Sequence, residues 1–148
     1  MISKDIIQSL REQTGVSVMA CKRALEKAEG DIEKALSYLK EENAAAASKK
    51  SSRETKSGII QSYVHGGKIG VLVELKCETD FVARNPEFQE VAKEIAMQVA
   101  ASDPQNVAEL LAGPYIRDSS KIAEDFLKEA IGKFGEKIEI SRFIRLEL

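Results

Sequence analysis

The segment Cys77-Glu78-Thr79-Asp80-Phe81-Val82-Ala83-Arg84-Asn85 brings a thiol and two carboxylates into nine residues. Glu78 and Asp80 could act as an acid–base pair. Neighbours at the end of a strand seldom point to one place, which weighs against that chemistry. Cys77 and Cys21 fall on apolar faces with no activating base nearby, so packed thiols are the favoured reading over nucleophiles. His65 sits beside a hairpin turn and reads as a surface residue. One histidine and two distant cysteines do not make a zinc ligand set. Gly66-Gly67-Lys68-Ile69-Gly70 lacks the spacing and the following helix of a phosphate-binding loop, so no nucleotide site of the chain's own is evident. No cofactor or metal is expected.

Phe81 is then the residue left to explain. A strand pattern ends before it and a helix pattern begins after it, so it falls in a connection. Burying a phenylalanine is favourable by about 1.5–3 kcal/mol. At such a place the ring either folds back under the sheet, with Asp80 solvated in a turn, or waits for a partner. The residues alone leave both readings open.

The elements around it follow from periodicity and punctuation. Residues 1–42 read as three short helices. Ser3 caps the first, which carries Ile6, Ile7 and Leu10 and stops at Thr14-Gly15. Ser17 caps the second, with Met19, Ala24, Leu25 and Ala28 at helical spacing. Gly30 ends it, and Asp31 caps a third with Ile32, Ala35, Leu36 and Leu39. So small a bundle suits docking better than catalysis. Residues 43–57 read as a linker whose alanines could extend the third helix. There Lys49, Lys50, Arg53 and Lys56 face only Glu54, but no aromatic residue is present to stack a base. Solvation is the favoured reading, and no direct nucleic-acid partner is expected.

Residues 58–148 read as an α+β domain. Alternating residues 59–64, a Gly66-Gly67 turn and Ile69, Val71, Val73, Leu75 and Cys77 on one face predict a hairpin. Asn85 and Pro86 begin a helix with Phe88, Val91, Ala92, Ile95, Ala96 and Val99 as its stripe. A short helix from Asp103-Pro104 carries Val107, Leu110 and Leu111. Another starts at Ser119 or Ser120, with Ile122, Phe126, Ala130, Ile131 and Phe134 inward. The last strand puts Ile138, Ile140, Ile144, Leu146 and Leu148 on one parity, interrupted by Arg142. The expected core is a three-stranded antiparallel sheet with helices on one face. Leu72, Tyr63 and Phe143 are then the large groups left on the other.

At 148 residues, 43% hydrophobic and 31% charged, the chain should be a folded soluble protein. A net charge of −2 gives no global pull toward nucleic acid or an anionic membrane. No apolar run reaches membrane length, and Met1-Ile2-Ser3-Lys4-Asp5 has no signal-peptide character. Two cysteines suggest a reducing compartment. The expected location is the cytoplasm, or an organelle stroma or matrix if a targeting segment has been removed.

The order and spacing of several fragments resemble the bacterial elongation factor Ts family. They are Leu10-Arg11-Glu12-Gln13-Thr14-Gly15 with Met19-Ala20-Cys21-Lys22-Arg23-Ala24-Leu25, then His65 to Glu74 leading into Cys77 to Asn85. Ala96 to Ala101, Pro114 to Asp118, Gly135 to Ile138 and Arg142-Phe143 complete the set. The resemblance implies a UBA-like amino-terminal module over residues 1–42. It also implies that the chain promotes GDP release from elongation factor Tu without covalent chemistry. By motif, Arg11, Val18, Met19 and Lys22 would dock on the partner's nucleotide-binding domain. Asp80 and Phe81, flanked by Thr79 and Val82, would push in beside its magnesium and phosphate site. Val18 and Ala20 depart from the family's usual methionine and aspartate, and the linker lacks its Gly-Arg-x-Ala-Ala-Glu-Gly run. The length fits the short form, which implies a homodimer through the core domain. A generic UBA-like adaptor and a small acid–base enzyme using His65 or Glu78 are the rival readings.

Overall fold

Short polar side chains start most of the helices by accepting the backbone N–H groups that a first turn leaves unpaired. Ser3 accepts from Ile6 N at 3.3 Å, Ser17 from Ala20 N at 3.2 Å and Asp31 from Lys34 N at 3.0 Å. The computed structural model describes all 148 residues. These caps open α1 (Lys4–Thr14), α2 (Val18–Lys27) and α3 (Ile32–Lys50). Gly15 closes α1 in the left-handed conformation, φ 70°. Leu10, Cys21, Leu25, Ala35 and Leu39 close a small core of their own between the three helices. The helix α3 runs on through the alanines to Lys50, so only residues 51–56 connect it irregularly to the first strand.

β1 (Ser57–His65) and β2 (Ile69–Cys77) form a hairpin. Its turn residues Gly66 and Gly67 have φ of 58° and 69°, the type I′ geometry that matches strand twist. After β2 come α4 (Asp80–Ala83), α5 (Pro86–Ser102), α6 (Val107–Ala112), β3 (Pro114–Tyr115), β4 (Asp118–Ile122), α7 (Ala123–Phe134) and β5 (Glu139–Glu147). The main sheet has the order β1-β2-β5 and is antiparallel throughout. Val71, Val73, Leu75 and Cys77 share a core with Phe88, Ala92, Ile95, Ala96 and Val99 of α5. Leu110 of α6 and Leu127, Ala130 and Ile131 of α7 join the same core. The expected three-stranded sheet with helices on one face is thus present.

Three local expectations are corrected. Asp103 does not open α6; it ends α5 in a left-handed conformation at φ 46°, and Asn106 caps α6 instead. Ser119 and Ser120 do not start a helix. They lie in β4, which pairs with β3 as a two-stranded ribbon. This ribbon is held by Gln98, whose amide donates to Pro114 O and accepts from Ile116 N. α7 starts at Ala123, where the Asp125 carboxylate accepts from Ile122 N at 3.0 Å, and Ile122 is exposed.

The third correction concerns β5. Leu75 pairs with Ile140 and Glu74 with Arg142, leaving Ser141 as an extra residue. A bulge of this kind reverses the parity of everything after it. Ile138 and Ile140 stay in the core, whereas Ile144, Leu146 and Leu148 are exposed. Phe143 packs against the core in their place, with Tyr63 on β1. Arg145, on the same face as Phe143, donates to Ala100 O at the end of α5. Glu74 holds the bulge, accepting from Ser141 Oγ at 2.6 Å and Arg142 Nε at 3.1 Å. These bonds lower the Glu74 carboxyl below its ordinary range. The outer sheet face therefore carries Ile60, Val64, Leu72, Ile144 and Leu146, all exposed.

Gly58 is required by close approach: a Cβ there would lie 2.5 Å from Leu75 O. Gly58→Ala should destabilise the fold by about 1–3 kcal/mol, as overpacking does. Chemical denaturation midpoints for Gly58→Ala and for the control Gly70→Ala, whose Cβ meets nothing within 4 Å, check this.

Candidate functional site: an exposed phenylalanine on a clamped turn

The turn between β2 and α5 is pinned at both ends by the core. Cys77 and Phe88 are both fully buried, and Val82 and Ala83 between them are buried as well. A helical turn advances 100° per residue, so burial of Val82 and Ala83 sends the preceding side chain toward solvent. Phe81 is accordingly 85% exposed. The reading in which its ring folds under the sheet is excluded by that exposure; the buried ring nearby is Phe88, edge-on to Phe134.

Thr79 opens α4, its Oγ1 accepting from Val82 N at 3.3 Å. The same hydroxyl donates to Glu136 Oε2 at 2.6 Å. Glu136 Oε1 accepts from the backbone N–H of both Glu78 and Thr79 at 3.0 Å. Glu78 returns the contact, its Oε2 accepting from Lys137 N at 2.7 Å and from Arg53 at 3.4 Å. The Cys77 thiol donates to Thr79 O at 3.2 Å. Burial, with the nearby Glu136 carboxylate, pushes this thiol up to about 11, so it stays protonated at neutral pH and acts as a donor. Glu78 is thereby engaged in structure, and Asp80 pairs with Arg84 at 2.8 Å. The two carboxylates are not joined as an acid–base pair.

The remaining candidates lie on the helical module. Val18 and Met19 are exposed apolar residues at the start of α2. Lys22 is half exposed and pairs with Glu26 at 3.8 Å. Arg11 and Val18 line one groove together with Glu87 and Lys133, so it runs from α1 and α2 to the first turn of α5. That turn comes directly after α4. Tyr63 Oη lies 2.9 Å from His65 Nδ1 at the exposed hairpin end, with no carboxylate bonded to the ring. No group of three His, Cys, Asp or Glu side chains is gathered for a metal ion. No helix is long and apolar enough to cross a membrane. Thr79, itself exposed, caps the turn, and Val82 anchors it from within the core. Sequence reasoning missed Glu136 and the pairing of Asp80 with Arg84. Arg84 had a signal in its i+4 spacing from Asp80; Glu136, 57 residues from Thr79, had none.

A relative from Thermodesulfovibrio yellowstonii named Elongation factor Ts is 39% identical over 191 aligned residues, spanning 99% of this chain and 96% of its own. The chain belongs to the elongation factor Ts family. A family model described as Elongation factor TS matches residues 78–148, from the turn before α4 through β5. An Elongation factor Ts from Thermosipho melanesiensis is 43% identical over 191 residues, spanning 98% of this chain and 97% of its own. One from Nostoc is 43% identical over 148 residues, which are 99% of this chain but 47% of that longer protein. The two alignments of 191 positions exceed the 148 residues of this chain, so those relatives carry segments it lacks. The chain is thus a translation elongation factor of the Ts family, whose function is guanine nucleotide exchange.

Phe81→Ala should leave stability within about 0.5 kcal/mol of wild type, as surface changes do. Phe88→Ala should cost about 3–5 kcal/mol. Denaturation of both variants checks the assignment of one ring to solvent and the other to the core. In the folded protein neither thiol should react with a maleimide, since Cys21 and Cys77 are both fully buried.

Proposed function

We propose that this chain accelerates GDP release from elongation factor Tu by inserting Phe81 as an apolar wedge. The observation that carries this is an 85% exposed phenylalanine on a turn tied down at Thr79, Val82 and Ala83. Arg11, Val18, Met19 and Lys22 would supply the docking contact on the partner's nucleotide-binding domain, in keeping with their exposure on α1 and α2. The helical module would thus be the UBA-like docking unit and residues 58–148 the working core. Docking brings the wedge beside the partner's magnesium and phosphate site. Asp80 would leave Arg84 and accept from groups displaced there. Weaker magnesium coordination loosens the hold on phosphate.

The thermodynamics require only differential affinity. A factor that binds the empty partner more tightly than the GDP-loaded one weakens GDP by the same factor. A tenfold change needs about 1.4 kcal/mol, and burying one phenylalanine supplies about 1.5–3 kcal/mol. No covalent step is involved, and no cofactor is needed. The cytoplasm, where translation runs, is the compartment this implies.

The outer sheet face supports a homodimer through the core domain. Val64, Gly70 and Leu146 form one row across the three strands, and Ser62, Leu72 and Ile144 the next. Arg142 and Glu74 border the patch as an ion pair at 3.1 Å. An apolar sheet face of this kind is stably covered by a second sheet, and a two-fold axis would let the same patch serve both copies.

Release of a fluorescent GDP from elongation factor Tu tests the exchange reading. Wild type should accelerate it, Phe81→Ala should lose at least about tenfold, the worth of 1.4 kcal/mol, and Asp80→Ala should lose less. No acceleration by wild type refutes exchange, and an undiminished Phe81→Ala refutes the wedge. Light scattering should give a dimer for wild type and a monomer for Leu72→Glu with Ile144→Glu; a monomeric wild type at micromolar concentration refutes the dimer.

A further inference from the structure

We infer that Glu136 is the positioning residue of the exchange loop: its carboxylate, from the segment after α7, holds Thr79 and through it the turn that presents Phe81. This rests on the wedge reading and names the group that keeps the wedge in place.

Three donors converge on this one carboxylate. Oε1 takes the N–H groups of Glu78 and Thr79, and Oε2 takes the Thr79 hydroxyl. The Thr79 hydroxyl rotor is then fixed with its proton toward Glu136, which leaves a lone pair for Val82 N. The cap of α4 is therefore set from 57 residues away. α4 has only four residues, and a helix so short has no stability of its own. Its geometry depends on Val82 and Ala83 in the core and on this carboxylate at its start. Charge-assisted bonds to backbone N–H groups are among the stronger and more directional in proteins. Glu78 closes the clamp in the other direction by accepting from Lys137 N, so the two segments cross-cap one another. Glu136 is partly buried and the Thr79 hydroxyl is taken up between Glu136 and Val82 N, so the role is alignment rather than contact with the partner.

Removing the carboxylate frees two backbone N–H groups and a hydroxyl at the base of the turn. The docking residues on α1 and α2 share no hydrogen bond or ion pair with Glu78, Thr79 or Glu136, so binding and presentation should separate. In GDP release from elongation factor Tu, Glu136→Ala should lower the maximal rate at saturating factor by about ten- to a hundredfold, the cost of misplacing an acting group by about 1 Å. The half-saturating concentration should stay within about twofold if docking is carried by other residues. Glu136→Gln should recover most of the rate, because the amide oxygen still accepts the two N–H groups. In a Phe81→Ala background, Glu136→Ala should change the rate by less than about twofold, since coupled residues are not additive. Thr79→Val, which keeps the two backbone bonds, should show the same pattern with a smaller loss and stands in if Glu136→Ala fails to fold by circular dichroism. An alanine variant at full maximal rate overturns the inference, as does an equal loss with and without Phe81 or a glutamine variant no better than alanine. If Phe81→Ala alone exchanges at full speed, the wedge reading fails and this inference with it. If Phe81→Ala is slow but the two losses multiply, the positioning role alone fails.

Discussion

Cys77 and Phe88 must both be buried in one core, and the chain between them has room for a single helical turn. That constraint orders the rest of the site. Val82 and Ala83 fill the space under the turn, so Phe81 has nowhere to go but outward. Thr79 must start the turn at once, because no residue is spare. The backbone N–H groups at the strand end would be left without partners if Glu136 did not accept them. The exposed ring is therefore a product of close packing around it, and local looseness plays no part.

The second organising feature is the extra residue in β5. Before Ser141 the strand's isoleucines belong to the core; after it they face away. The inner face loses nothing by this, since Phe143 and Arg145 take over and Arg145 closes the end of α5 through Ala100 O. The outer face gains the exposed apolar residues Ile144 and Leu146. Glu74 binds both Ser141 and Arg142, so the bulge is a fixed part of the sheet.

Much of the architecture was legible in the chain because its signals are local. Ser3, Ser17, Asp31 and Asn85 cap helices as their positions require, and Gly66-Gly67 makes the hairpin turn. The features that failed to read out were decided at a distance. The β3–β4 ribbon is too short to carry a pattern, and Gln98 on α5 holds it. Alternation through Ile138 to Leu148 promised one face, and only pairing with β2 reveals where the count slips. For the candidate site, the residues that display themselves were visible, Asp80 and Phe81 above all. The exposure of Phe81 was not decidable from its neighbours, because it depends on which side of the short turn the core takes up, and the core takes Val82 and Ala83. Glu136 carries no local mark of its task.

α3 starts within the helical module and ends against α7, with Lys40 reaching Asp125 at 3.6 Å along the way. Its 19 residues make a rod of about 28 Å at 1.5 Å per residue. If both parts engage one target, as the proposed exchange role requires, a rod joining them has few conformations to lose. The second contact then behaves as an intramolecular event at an effective concentration set by geometry rather than by how much protein is present. Such a chain can work with two individually weak surfaces and still let go quickly, as a factor that must turn over needs to do.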